Sequence, residues 1–383
     1  QNFALKQKLI KLIIDKNIPI SEESFEGQNI DLDFLPFDKI NSSTIKNADA
    51  LFIRTTTRVN KELISKSNIS FIGSFASGEN HISNDLFDDS ECLIQTAKGS
   101  NSQAVFEYVL SCMLENDFEA CSVGIVGHGH VGKKIDSSLS KLGYEVEIYD
   151  PYLYDHSEDE LNKVLSCEVL SINCSYSKEG KYPSHNLISK EQRPKSKLVI
   201  NSSRGEVVDY SEIAKSSEIF NDVWVNEPKI SSNDIYSFMN HSNAFGTPHI
   251  AGYTFSSKER QIDLILEKFN DLFSKSVERK EDKKFIKLSS CLSDKLIKSK
   301  NLDFKSMISE VFSTRKIAIE FKALLSEYNE MRKTFGPEEF EKLRKSKMRQ
   351  GFDEINIDIP LDKDLLQRME LSGFKNQKKL KFS

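Results

Sequence analysis

Three side chains, far apart along the chain, are of types that can hold an acid and move a proton. His249 sits in GTPHIAGYT (246–254), after a proline and among small residues, so its ring is displayed rather than packed. Glu227 lies in DVWVNEP (222–228), at the exit of an expected strand. Taken alone, a glutamate before a proline reads as a solvated loop residue. Beside His249 its meaning changes, because a carboxylate bonded to one imidazole nitrogen fixes the tautomer and raises the basicity of the other. A ring with an ordinary pKa of about 6.5 then becomes an acceptor for a hydroxyl proton, and a donor in reverse. Arg204 in NSSRGEVVD (201–209) follows a strand and precedes a glycine. Its guanidinium can pair two N–H donors with a carboxylate; the alternative is a local salt bridge to Glu206 or Asp209.

A fourth feature supplies a place for a dinucleotide. GIVGHGHVGKK (124–134) puts Gly127, Gly129 and Gly132 in G-x-G-x-x-G spacing, after a strand and at the start of a helix. The first glycine allows a tight turn, the second lets a pyrophosphate approach the backbone, and the third lets helix and strand pack closely. The helix N-terminus offers free N–H groups and partial positive charge to phosphates. Asp150 ends the next strand, 18 residues after Gly132, where an acid would bind ribose hydroxyls and repel a 2′-phosphate. NAD is therefore the expected cofactor. The bland alternative is an ordinary strand-to-helix turn followed by a surface aspartate.

These positions need a scaffold with many strand ends on one edge. Short apolar runs at 11–15, 48–54, 69–76, 91–97, 121–127, 145–150, 168–174, 197–203, 221–225 and 243–249 read as strands. Helical patterns such as 101–116 and 131–143 separate them, as parallel sheets buried on both faces require. The expected fold is α/β: two Rossmann-like domains with parallel sheets, plus a C-terminal α+β dimerisation domain. The expected boundaries are 1–97 for a substrate-binding domain, completed by a helix near 256–275, then 98–255 for the NAD-binding domain. A charged linker at 276–284 leads to the third domain, 285–383, with one strand expected at 352–359.

Composition excludes several classes. A net charge of −5 with mixed signs gives no general basic surface for nucleic acid. No apolar run reaches the ~20 residues that cross a bilayer, and the N-terminus lacks a signal-peptide core. The chain opens on Gln1, so residues upstream are expected. Six scattered cysteines without a C-x-x-C pair suggest reduced thiols in a cytoplasm. His81, His128, His130, His156, His185 and His241 lie in loops or turns without a supporting carboxylate and read as structural or surface residues. No H-x-x-E-H set points to a metal.

Together, Gly132, Asp150, Arg204, Glu227 and His249 resemble, in order and spacing, the D-isomer-specific 2-hydroxyacid dehydrogenases. LIIDKNIP (12–19), ADALFIRTTTRVN (48–60), EYVLSCML (107–114) and FEKLRKSKMRQGFDEI (340–355) extend the likeness to a branch of that family carrying a C-terminal dimerisation domain. The resemblance implies Arg204, Glu227 and His249 as the catalytic set. It implies NAD contacts from Gly127, Gly129, His130, Val131, Gly132, Asp150, Cys174, Ser202, Ser203, Asp222 and Gly252, and substrate contacts from Thr55, Ser74 and Tyr253. At Cys174 the chain departs from the family, whose strand there ends in His-x-Pro. The implied substrate is a small phosphorylated 2-hydroxy acid, its phosphate met by Arg54 or by the basic run Lys342, Arg344, Lys345, Lys347, Arg349, which otherwise reads as a solvated helix face. A homodimer is implied, with neither nucleic acid nor membrane as partner. Two rival readings stay open: another member of the family, such as a phosphoglycerate dehydrogenase, and a non-catalytic NAD sensor on the same fold.

Overall fold

A computed structural model describes residues 8–88, 91–189, 194–227, 229–230, 232–280, 284–299, 302–331 and 335–376. Part of the expected linker, 281–283, and the N-terminal stretch 1–7 lie outside the described residues. The chain divides into two compact units, one built from 1–101 and 257–283, the other from 102–256 and 284–383.

The first unit is a five-stranded parallel sheet. Its strands are β1 (Ile10–Asp15), β2 (Ile30–Leu35), β3 (Ala50–Ile53), β4 (Phe71–Ser74) and β5 (Leu93–Thr96), in the order β2-β1-β3-β4-β5. β3 and β4 are buried throughout, as strands covered on both faces must be. β2 was not expected. It is an edge strand in which Asp31 and Asp33 alternate with apolar residues, so it lacks the continuous apolar run of its neighbours. The helix Phe255–Phe273 lays Ile262, Ile265, Leu266, Phe269 and Phe273 against Phe52, Phe71 and Phe75. Gly73 permits that approach, since a Cβ there would fall 2.5 Å from Ile265 Cγ2.

The second unit holds a six-stranded parallel sheet: β6 (Ser122–Val126), β7 (Glu145–Tyr149), β8 (Val169–Ile172), β9 (Leu198–Asn201), β10 (Glu218–Asn221) and β11 (Ala244–Gly246), ordered β11-β10-β9-β8-β6-β7. The residues that follow these strands are Gly127, Asp150, Asn173, Ser202, Asp222 and Thr247. Parallel strands bring all six to one edge, where ligands of such sheets bind. β10 corrects the expectation for 221–225, because it ends where that strand was to begin. The apolar Val223 and Trp224 that suggested a strand are buried in the turn beyond it.

Residues from 284 onward pack within this same unit. They add a three-stranded parallel sheet, β12 (Ile286–Lys287), β13 (Ile355–Ile357) and β14 (Lys375–Asn376), where one strand was expected. Phe304, Met307, Ile308 and Phe352 share a core with Phe106, Val109 and Met113 of the helix Ser102–Glu115, which is consequently buried on nearly every side. Phe321, Leu325, Phe335 and Phe340 join Trp224 and Phe238 in a second core. A buried ion pair crosses the first of these, Arg349 Nη1 donating to Glu107 Oε2 over 2.6 Å. Burial pushes the Glu107 carboxyl up, and Arg349 partly offsets that.

Candidate active site

The glycine turn meets each demand of a dinucleotide cradle separately. Gly127 has φ +89°, and a Cβ there would stand 2.5 Å from the Cys174 backbone. Gly132 lies under it, where a Cβ would come within 2.0 Å of the Gly127 carbonyl. A Cβ at Gly129, by contrast, would meet nothing within 4 Å. The middle glycine therefore faces open space, next to the first turn of the helix His130–Lys141. Asp150 orders this end: Oδ2 accepts from His128 N at 2.8 Å, and Oδ1 accepts from Tyr152 N and Leu153 N. The open space at Gly129, at the N-terminus of the helix His130–Lys141, fits a bound pyrophosphate. His128 does have a carboxylate partner, contrary to expectation: Nε2 lies 3.1 Å from Asp136, and Nδ1 lies 2.7 Å from the Tyr154 hydroxyl.

At the other end of the edge, Glu227 and His249 meet. His249 Nδ1 lies 2.5 Å from Glu227 Oε2, and Glu227 Oε1 accepts from Trp224 N at 2.7 Å. The carboxylate is thus anchored to its own turn while it orients the ring. Burial alone would raise the Glu227 carboxyl, but the His249 charge and hydrogen bond, the Trp224 N–H and the Arg344 charge outweigh it and hold the group below its ordinary range.

His249 has φ +54°, a left-handed backbone rare outside glycine. Such a conformation costs on the order of 1–3 kcal/mol and persists only where its surroundings fix it. Here they do. Trp224 Nε1 donates to the Thr247 carbonyl (3.0 Å), Arg344 Nε donates to the His249 carbonyl (2.8 Å), and Asp222 accepts from Ile250 N and Ala251 N (2.7 Å each). Asp222 is fully buried and also accepts from the Thr247 hydroxyl at 2.6 Å. Burial raises the Asp222 carboxyl, and the His249 charge and these donors counter it. Tyr108 donates in turn to Thr247 over 2.8 Å; burial pushes its phenol far up, so the proton stays in place.

Arg204 occupies the neighbouring exit, after β9. Its Nη1 donates to the Ser203 carbonyl at 2.7 Å, and among the described residues no ion pair joins it to Glu206 or Asp209. Glu206 instead accepts from Asn226 N at 2.9 Å, tying the Arg204 turn to the Glu227 turn. Gly205 makes the contact close: a Cβ would fall 2.3 Å from the Trp224–Val225 peptide. Gly246 does the same from the far side, 2.6 Å from Trp224 Cη2. Trp224 is thus the wedge between the arginine turn and the histidine loop. Neither it nor the paired Asn201 and Asn221 drew notice in the sequence. Asn201 Nδ2 donates to the Arg204 carbonyl and Asn221 Nδ2 to the Val223 carbonyl, closing both turns. The repeat of an asparagine after VI and IF, at strand ends in register, was a legible signal.

The remaining expected contacts are distributed as follows. Ser202 Oγ lies 3.4 Å from Asn173 Oδ1, and Ser203 donates to Asn201. The Cys174 thiol is pushed up to about 12 by burial and stays protonated. His130 is exposed, and Val131 and Gly252 are partly buried. Tyr253 lies under the Arg344 guanidinium, 4.5 Å from ring centroid to Cζ. In the first unit, Thr55 is exposed, while Ser74 is fully buried and bonded to His81 Nε2 at 2.8 Å. Burial lowers the His81 pKa, with Glu79 opposing. Arg54 is held by the buried Asp15, Nε to Oδ2 at 3.0 Å.

A glycine turn with open space at its middle residue and a carboxylate-supported histidine on one parallel-sheet edge are the arrangement that a nicotinamide-dependent oxidoreductase needs. Comparison with known proteins agrees. Residues 94–251 match the D-isomer specific 2-hydroxyacid dehydrogenase NAD binding domain. Erythronate-4-phosphate dehydrogenase of Hahella chejuensis is 29% identical over 95% of this chain and 99% of its own length. The Wigglesworthia glossinidia brevipalpis protein of the same name is 34% identical over 65% of this chain and 69% of its own. The fold is that of D-lactate dehydrogenase from Aquifex aeolicus, solved with NAD and lactic acid (TM-score 0.51, 20% identity, covering 69% of this chain and 96% of that one). The chain belongs to the erythronate-4-phosphate dehydrogenase family of the D-isomer-specific 2-hydroxyacid dehydrogenases.

Proposed function

We propose that the protein oxidises 4-phospho-D-erythronate to (R)-3-hydroxy-2-oxo-4-phosphooxybutanoate with NAD, a step of pyridoxal 5′-phosphate synthesis. The observation that carries this is the Glu227–His249 bond, on the same sheet edge as the glycine turn. NAD, held by Gly127, Gly129, Gly132, the His130–Val131 turn and Asp150, with Ser202, Ser203 and Gly252 further along the edge, supplies the two-electron acceptor when bound. With Nδ1–H committed to Glu227, the Nε2 lone pair of His249 is left to take the C2 hydroxyl proton. Arg204 binds the substrate carboxylate and polarises the C2 oxygen. Tyr253 offers a hydroxyl beside the histidine loop. Substrate contacts at Thr55 and Ser74 rest on the resemblance alone.

A cytoplasmic homodimer is the accompanying proposal. None of the six cysteines forms a disulfide, and among the described residues no helix is long and apolar enough to cross a membrane. The decisive assay follows nicotinamide absorbance with 4-phosphoerythronate, 3-phosphoglycerate and D-lactate in parallel. Preference for the first by kcat/KM is expected. Preference for 3-phosphoglycerate would assign the chain a different substrate, and NAD binding without turnover of any of them would favour a sensor.

A further inference from the structure

Arg344 lies on the helix Pro337–Ser346, 95 residues beyond the histidine whose carbonyl it holds. That carbonyl and the Ile250 N–H belong to one peptide group. Arg344 Nε donates to its oxygen at 2.8 Å, and Asp222 accepts from its N–H at 2.7 Å. Rotation of this peptide would change ψ of His249 and φ of Ile250, and with them the course of the loop that carries the ring. Here such a flip would turn a carbonyl toward a carboxylate and an N–H toward a guanidinium, so both ends oppose it. The tail grips the loop's other end as well, where Phe255 N donates to the Arg349 carbonyl at 3.0 Å. The guanidinium of Arg344 stacks on Tyr253, and Nη1 lies 3.3 Å from Glu341.

We infer that Arg344 is a positioning residue: with Asp222 it clamps the 249–250 peptide and so aims the His249 imidazole at the substrate hydroxyl. This rests on His249 being the proton acceptor. The charged groups around the ring are Glu227 and Asp222 from the sheet edge, and Arg344 with Glu341 behind it from the tail. Arg344 therefore acts on the ring through the peptide it holds, while its charge helps to keep the Glu227 carboxyl ionised.

The test uses the full chain with Arg344→Met and Arg344→Lys, each also combined with His249→Ala. Arg344→Met is expected to lower kcat with 4-phosphoerythronate by about tenfold to a hundredfold, the scale of a misplaced catalytic group, with NADH affinity unchanged. Arg344→Lys, which keeps a charge and one donor, should recover part of that loss. In the His249→Ala background the same change should cost less than about twofold, the signature of a residue acting through another. Equal cost in both backgrounds would mean a merely structural role and overturn the inference. So would a loss confined to KM for the phosphorylated substrate with kcat unchanged, which would make Arg344 a phosphate ligand. A wild-type chain that turns over no 2-hydroxy acid overturns the functional reading itself, and this inference with it. Thermal unfolding of each variant separates misfolding from misplacement.

Discussion

Asp222 accepts hydrogen bonds from the consecutive backbone N–H groups of Ile250 and Ala251, each at 2.7 Å, from a position wholly closed to solvent. With the Thr247 hydroxyl as a third donor, this one carboxylate fixes the loop on both sides of His249. Asp222→Asn keeps the shape but turns an NH2 toward backbone donors. A destabilisation of about 1–3 kcal/mol is expected, together with a fall in kcat larger than any change in KM for NAD. Thermal unfolding and steady-state kinetics on the one variant check both parts.

Glu227 gives a pH prediction with a definite sign. Its carboxyl is held below the ordinary 4.5, so it is ionised at neutral pH, as its proposed support of His249 requires. In Glu227→Gln the ring loses the carboxylate that orients it, so kcat/KM should fall by about 10²- to 10⁴-fold. For stability, a depressed folded value means a contribution fully present above pH 4.5 and lost as pH falls through the lower folded value. The stability gap between wild type and Glu227→Gln should therefore be level near neutrality and narrow in acid, as denaturant titrations at several pH values would reveal.

The three glycines of the turn should fail differently. Gly132→Ala drives a methyl into the Gly127 carbonyl, and Gly127→Ala adds a positive-φ penalty to a clash with Cys174. Both should lower the melting temperature. Gly129→Ala points into open space, so its melting temperature should stay near wild type while NADH affinity drops, as fluorescence titration would register.

The Glu107–Arg349 pair lies outside the chemistry, yet Glu107→Leu should cost about 3–5 kcal/mol by leaving a buried guanidinium without its partner. Glu107 Oε1 also accepts from Phe352 N at 2.8 Å, so the tail should loosen first. Hydrogen exchange should show protection lost around β13 before it is lost in β6 and β9.

Much of the edge could be read from the chain because each strand of a buried parallel sheet is a continuous apolar run that stops where the ligand side begins. Gly127, Ser202 and Thr247 stand where such runs stop, while Asp150 follows the edge strand β7, in which Glu145 and Glu147 alternate with apolar residues. The same rule misled where side chains from elsewhere cover a turn: Trp224 is apolar and buried without being in a strand. It also missed β2, whose alternating carboxylates mark an edge. That Glu227 reaches His249 depends on β10 and β11 being neighbours, which spacing does not encode. The contact of Arg344 with the His249 carbonyl had no signal at all, since a lysine- and arginine-rich helix looks alike whether or not one of its members turns inward.

Trp224 is the chain's single tryptophan, and its indole is nearly closed to solvent between Gly205 and Gly246. The molecule therefore carries its own optical gauge, placed by the fold at the joint between the arginine turn and the histidine loop. Its emission colour should report water entering that joint before the global melt begins. Its quenching by reduced cofactor would give a ruler to the nicotinamide without any attached dye.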